Sequence, residues 1–184
     1  MQDVLKESES RMQKALDNLK KNFAAVRTGR ANPALLDHVH VDYYGTSVPL
    51  KQLAQIAAPE PRMLLVTPYD KNAAQGIEKA ILTSDLGINP KNEGGVIRLV
   101  LPEPSEERRK ELVKLTKKES EEAKIAVRNV RRDAIEALKK QKADKTITED
   151  EEKVKDKKVQ EMTDKNVAEI DKLLAAKEKE IMEV

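Results

Sequence analysis

Cysteine and tryptophan are missing from this chain, and one phenylalanine and three tyrosines leave aromatics at 2% of the sequence. Without cysteine there is no disulfide framework, no thiolate nucleophile and no Cys-ligated metal. Without large rings, any core must be built from aliphatic side chains. No apolar run approaches the roughly 20 residues needed to span a bilayer. The opening Met1-Gln2-Asp3-Val4-Leu5 carries an acid early and has the pattern of neither a secretory signal nor a transit peptide, so the expected location is cytoplasmic. A Gly-rich phosphate loop is lacking too, since Gly94-Gly95 does not have the required spacing, and there is no nucleophile elbow. Acids are abundant but fall on helix faces expected to be solvated. Nothing here points to catalysis or to a cofactor, and the expectation is a protein that is not an enzyme.

What the chain has is charge and periodicity. Charged residues make up 37% of its 184 residues, yet the net charge is only +2, so any surface for nucleic acid must be a local patch. High charge with few aromatics can mean disorder. Here the apolar residues recur at helical spacing over long stretches, which favours amphipathic helices. Residues 1 to about 28 form the first, with Met12, Leu16, Leu19, Phe23 and Val26 spaced by fours and threes. Thr28-Gly29 is expected to end it, with Gly29 in the left-handed cap conformation, and Asn32-Pro33 prevents simple resumption. From Ser105, a candidate N-cap, the helical pattern returns and runs to about Ala143, a length of about 60 Å. After a short polar break, Thr148 and Glu151 form a capping box for a last helix with Val159, Met162, Val167, Ile170, Leu174 and Ile181 on one side.

Between these stretches the style changes. His38 to Tyr43 alternates polar and apolar, the mark of a half-buried strand. Val48-Pro49-Leu50, Met63 to Val66 and Val96 to Leu101 read as further strands. A helix from Asp70 to about Leu86, with Ile77, Ala80 and Ile81 inward, is stopped by Gly87. Three long helices can bury one another's apolar stripes where one alone cannot. The expected fold is therefore α+β: a discontinuous three-helix bundle of residues 1–29 and 105–184, with a small β/α/β domain of residues 30–104 inserted. The chain would cross between them twice, at a hinge of Gly29, Arg30, Pro102 and Pro104.

The strongest local signal lies on the long middle helix. Its inner seam is expected at Thr116, Ser120, Ala123, Val127, Val130, Ala134 and Ala137. Lys110, Lys117, Lys124 and Arg131 recur every seven residues on one face, with Arg128, Arg132 and Lys139 on the same side. Between Lys124 and Arg132 no acid of this helix shares that side, and each like-charge neighbour pair costs roughly 0.2–0.5 kcal/mol. Phosphate binding would account for such a run. A solvated face with no partner is the commoner meaning of a basic stripe. Ile125 and Ile135 fall outside the seam, so either the buried arc is wider or they touch a partner. Arg27 and Arg30 flank Gly29, where they either cap helix carbonyls or anchor RNA. His38, His40 and Asp42 share one strand face, but span about 13 Å, too far for one ion without bending. They read as a solvent-facing row, and no metal site is expected.

These residues resemble bacterial ribosome recycling factor. The matching stretches are Val26-Arg27-Thr28-Gly29-Arg30-Ala31, Asp42-Tyr43-Tyr44-Gly45, Pro49-Leu50-Lys51-Gln52-Leu53-Ala54, Glu78-Lys79-Ala80-Ile81, Ser84-Asp85-Leu86-Gly87, Glu106-Glu107-Arg108-Arg109-Lys110 and Val127-Arg128-Asn129-Val130-Arg131-Arg132-Asp133. They occur in order and cover almost the whole chain. The resemblance implies an L-shaped molecule with the bundle as its long arm. It implies binding at the subunit interface of the post-termination ribosome, with the long arm against large-subunit RNA. Elongation factor G, using GTP, would drive subunit splitting and release of mRNA and tRNA; the chain itself would hold no nucleotide and act as a monomer. Arg131 falls on the family's key arginine position, with Arg128 and Arg132 beside it, and Arg27 and Arg30 match its hinge arginines. Together with Lys117 and Lys124 of the basic face, these are the expected RNA contacts. The competing reading is a coiled-coil chaperone or adaptor, which would favour an exposed apolar groove over a run of arginines.

Overall fold

A computed structural model describes residues 3–183; residues 1, 2 and 184, at the ends of the expected bundle segments, lie outside the described residues. In chain order the elements are α1 (Val4–Ala25), a 3-10 turn (Pro33–Leu36), β1 (His40–Tyr43), β2 (Thr46–Pro49), α2 (Leu50–Leu53), β3 (Ala54–Glu60), β4 (Met63–Pro68), a 3-10 turn (Lys71–Ala73), α3 (Ala74–Leu82), β5 (Pro90–Glu93), β6 (Val96–Val100), α4 (Glu106–Ala143) and α5 (Glu149–Glu183). They fall into two compact units. One holds the chain up to Arg27 and Glu107–Met182, and the other holds Thr28–Glu106.

The first unit is three helices. Asp3 caps α1 by accepting a hydrogen bond from the Leu5 amide at 3.1 Å. Met12, Leu16, Leu19 and Phe23 are buried, as the spacing predicts. The helix stops at Ala25, and Val26 is already extended. Gly29 does have positive φ, +82°, but it lies four residues beyond the helix and so bends the following segment instead of capping α1. α4 buries Leu112, Thr116, Ser120, Ala123, Val127, Val130, Ala134 and Leu138. The seam ends on Leu138, not on the expected Ala137, which is half-buried. Its middle is small, so the bulk comes from opposite: Met12, Leu16, Leu19, Phe23 and Ile170 complete a cluster with Ala123, Val127 and Val130. Ala134, Leu138 and Val159 form a second, joined by Ile147 from the turn.

The chain reverses between α4 and α5. Lys145 takes the left-handed conformation (φ +58°), and the Thr146 amide donates back to the Gln141 carbonyl at 2.8 Å. The capping box is complete. The Thr148 amide donates to Glu151 Oε2 at 2.7 Å, and the Glu151 amide to Thr148 Oγ1 at 3.2 Å. Lys142 Nζ meets the buried Glu152 carboxylate at 2.5 Å, fastening the end of α4 to the start of α5.

The second unit carries a two-stranded sheet, β1-β2, and a four-stranded sheet of order β3-β4-β6-β5. Both are antiparallel throughout. Since β4 and β5 each pair antiparallel with β6, they run parallel to each other with β6 between them, and α3 is the crossover that joins them. The expected β/α/β unit is thus a split one. Sequence reading missed β3, β5 and the single turn α2, and placed Leu50 in a strand although it begins α2. The helix expected from Asp70 is a 3-10 turn capped by Asp70, which accepts from the Asn72 amide at 2.9 Å, followed by α3. α3 ends at Leu82, five residues before Gly87, whose φ is +66°. Leu64, Val66, Ile97 and Leu99 face Ile77 and Ile81 of α3 in one continuous aliphatic core with Val39, Val41 and Leu50.

Candidate nucleic-acid interface

The basic residues of α4 sort by the edge they occupy. With 3.6 residues per turn, the position just before a seam residue projects to one side of the seam and the position just after it to the other. On one side lie acids that meet α1: Asp133 pairs with Arg11 at 2.7 Å, and Glu119 accepts from Asn22 at 2.7 Å. On the other lie cations that meet α5. Lys117 Nζ is 3.8 Å from Glu178, Lys124 Nζ is 2.6 Å from Asp171, and Arg131 Nη1 donates to Gln160 Oε1 at 3.1 Å. From Lys117 to Lys124 a step of seven down α4 matches the step of seven up α5 from Glu178 to Asp171, as antiparallel neighbours require, and Arg131 reaches eleven residues further up α5 to Gln160.

This changes the electrostatic reading of the stripe. No acid of α4 lies among Lys124, Arg128, Arg131 and Arg132, but α5 supplies one, Asp171, which the periodicity of α4 alone could not reveal. The Lys124 side chain is only 18% exposed. Arg131 is half-buried, and its Nε is buried without a hydrogen-bond partner. Its guanidinium therefore lies along α5 with one N–H engaged by Gln160, whose own amide is anchored to Asp164 at 2.8 Å. Arg128 is exposed and pairs with Glu121 at 3.3 Å. Such exposed pairs contribute roughly 0–1 kcal/mol and yield readily to another anion. Arg132 is exposed and unpartnered. Ile125, outside the seam, is 48% exposed one turn before Asn129 and Arg128, while Ile135 is half-buried.

Arg27 and Arg30 are both exposed. Arg27 borders a groove lined by Asn22, Ala25, Val26, Leu112, Leu115 and Glu119. The Arg30 amide donates to Thr28 Oγ1 at 3.5 Å. His38, His40 and Asp42 are exposed, with Val39 and Val41 buried between them. The Asp42 carboxylate is engaged locally, accepting from the Gly45 amide at 2.9 Å. Among the described residues no group of three or more His, Asp or Glu is placed to hold a metal ion, and no helix is long and apolar enough to cross a membrane.

An antiparallel helical bundle interrupted in sequence by a split β-α-β unit, with arginines exposed along its longest helix, defines a class of two-unit protein with an extended cationic helix face. Within that class the chain belongs to the ribosome recycling factor family, whose model matches residues 19–182. It is 55% identical over its full length to the ribosome-recycling factor of Carboxydothermus hydrogenoformans, with 100% of each chain covered. It is 53% identical to that of Syntrophomonas wolfei, again with 100% of each covered. Among solved structures, a solution structure of ribosome recycling factor matches with a TM-score of 0.74 and 47% identity, covering 99% of this chain and 97% of that one. Another describes the T. thermophilus factor and E. coli elongation factor G bound to the E. coli post-termination complex. It matches with a TM-score of 0.63 and 47% identity over 97% of this chain and 96% of that one. The chaperone or adaptor reading is not favoured by these relatives.

Proposed function

We propose that this chain recycles ribosomes: it binds the post-termination ribosome and, with elongation factor G and GTP, promotes splitting into subunits and release of mRNA and tRNA. Full-length identity of 55% to a ribosome-recycling factor is the observation that carries this reading. A relative at 47% identity bound with elongation factor G to a post-termination complex supports the same partners. In this reading the protein is a cytoplasmic monomer that holds no cofactor and catalyses nothing itself.

The finer assignment is residue by residue. The bundle, residues 1–29 and 105–184, would supply affinity for large-subunit RNA, and the insert, residues 30–104, would supply the surface on which elongation factor G works. Gly29, Arg30, Pro102 and Pro104 would form the hinge. Arg132 and Arg128 are the most available RNA contacts on α4 because of their exposure, with Arg131 beside them. Arg27 and Arg30 offer a second exposed cationic spot. Lys117 and Lys124 would contribute chiefly through the field of the face, since each is turned to a carboxylate of α5. The test is a sucrose gradient of post-termination ribosomes mixed with the protein, elongation factor G and GTP. Free subunits are expected; intact ribosomes in every fraction would sink the proposal.

A further inference from the structure

Two ion pairs fix the register of α4 against α5: Lys117 with Glu178 and Lys124 with Asp171. The next step of seven takes α4 to Arg131 and α5 to Asp164. By that register a third acid should neutralise the third cation. Arg131 Nη1 instead donates to Gln160 Oε1 at 3.1 Å, one turn further back along α5. The Asp164 carboxylate accepts from Gln160 Nε2 at 2.8 Å. Gln160 thus stands between the arginine and the acid that the register assigns to it. An amide carries both a donor and an acceptor, so Asp164 on its NH2 group leaves the carbonyl for the guanidinium.

The exchange alters charge as well as contact. An amide carbonyl is neutral, so Arg131 keeps its unit of charge, whereas Lys117 and Lys124 each face a carboxylate. A guanidinium–carboxylate pair is often bidentate, and a bond between charged groups is stronger than one to a neutral acceptor. Arg131 is half-buried, where solvent and salt would screen such a pair less than at an open surface. Its resting pose is also incomplete, because Nε is buried without an acceptor. A buried donor left unpaired is costly. The guanidinium therefore gains by turning to an anion that takes Nε and Nη together. A phosphate can do so, and so could Asp164 if its carboxylate were free.

We propose that Gln160 is a positioning residue that keeps Arg131 open to phosphate: it occupies Asp164 and offers the guanidinium only a neutral acceptor. A carboxylate in its place would compete with the phosphate for Arg131 and repel it as well. The proposal rests on the recycling reading, in which Arg131 is an RNA contact. It adds a residue of α5 that decides whether that contact arrives charged. Gln160 and Asp164 are both exposed, so each can be replaced without opening the bundle core.

The test measures binding of the full chain to post-termination ribosomes over a salt series, beside a thermal melt. Gln160→Ala frees Asp164 to take Arg131. It should melt no lower than the parent, since alanine suits a helix. It should bind about tenfold more weakly at about 0.1 M salt, with the magnitude of the salt slope lower by about one unit. Gln160→Ala combined with Asp164→Asn leaves no carboxylate to take Arg131, and should return affinity and slope to the parental values. Loss of the Gln160 contact alone would not be rescued in this way. A double variant as weak as Gln160→Ala therefore overturns the proposal, and so does a Gln160→Ala variant that binds like the parent. Arg131→Ala separates the proposal from the reading beneath it. It should lower the slope by the same amount, and adding Gln160→Ala to it should change nothing further. If Arg131→Ala weakens binding while Gln160→Ala does not, only this inference fails. If Arg131→Ala leaves affinity and slope unchanged, Arg131 is not an RNA contact, and that reading falls together with the inference.

Discussion

The two units solve the shortage of aromatic residues in different ways. The inserted unit gathers Leu, Ile and Val from two sheets and α3 into one continuous core, with Tyr43 packed against it and Tyr44 and Tyr69 left outside. The bundle spreads its core along a narrow seam, in two clusters, and joins its helix edges with charge: Arg11–Asp133 toward α1, Lys117–Glu178 and Lys124–Asp171 toward α5. The insert should therefore be sensitive to lost volume and indifferent to most surface charges. In the bundle the same kind of residue, a surface cation, can be either a fastener or a free contact, and only its partner across the helix interface decides which.

Removing one unit is the severest way to break the comparison. With residues 31–103 replaced by a short Gly/Ser linker, the three helices retain each other's apolar faces, so a cooperative helical melt is expected. That protein should sediment with ribosomes and fail to split them. A broad, non-cooperative melt would refute the discontinuous bundle, and normal splitting would refute the division of labour. Next in size is a cavity in the insert. Leu64 is fully buried in β4, and Leu64→Ala should cost about 2–5 kcal/mol. If the units fold separately, the main helical transition should stay at the parental temperature while a minor one drops. A single transition that moves as a whole would make the two units one cooperative body.

The arginine face offers a smaller but sharper contrast. Arg132→Glu should weaken ribosome binding and lower the magnitude of its salt slope by about one unit, with stability within about 0.5 kcal/mol of the parent. Lys124→Ala should do the reverse, because it removes the packed stem of a side chain only 18% exposed together with its ion pair to the more exposed Asp171. A lower melt with a nearly unchanged salt slope is expected. If Lys124→Ala changes binding and Arg132→Glu changes only stability, the assignment of fastener and contact is inverted.

Much of this was legible in the sequence, and the parts that were not have definite causes. The long helices were found to within a few residues because 22, 38 and 35 residues give many turns of periodicity. The apolar identities of α3 were also right, since Ile77 and Ile81 are one turn apart and both fully buried. β3 and β5 were missed because Ala54-Gln55-Ile56-Ala57-Ala58-Pro59-Glu60 and Pro90-Lys91-Asn92-Glu93 have few of the residues strands prefer. They are strands because β4 and β6 offer free edges, and at a sheet edge proline is tolerated. The arginine stripe was visible, but Asp171, Glu178 and Gln160 were not recognised as its partners. Aligning α4 against α5 in antiparallel register from the capping box would have found the two acids.

The smallest effect expected is at the α4–α5 turn, where charge again acts as a fastener. The hydrogen bonds with Thr148 hold the Glu151 carboxyl below its ordinary pKa. A carboxyl whose pKa is lower in the folded chain than in the unfolded one stabilises the fold above its unfolded pKa, and that contribution is lost as pH falls through the folded value. Glu151→Gln keeps an acceptor for the Thr148 amide but removes the charge. The variant should melt slightly below the parent at pH 7, and the gap should close as pH falls below the ordinary carboxylate range. Thr148→Ala removes the hydroxyl that caps Glu151 and should cost about 1 kcal/mol at neutral pH. Comparing the variant's melt with the parent's at each pH cancels the general acid sensitivity of a chain with so many paired carboxylates. A Glu151→Gln gap that stays constant down to acid pH would mean that the ionised carboxylate adds nothing to the cap, and that the turn is held by Lys142–Glu152 and the packing of Ile147 alone.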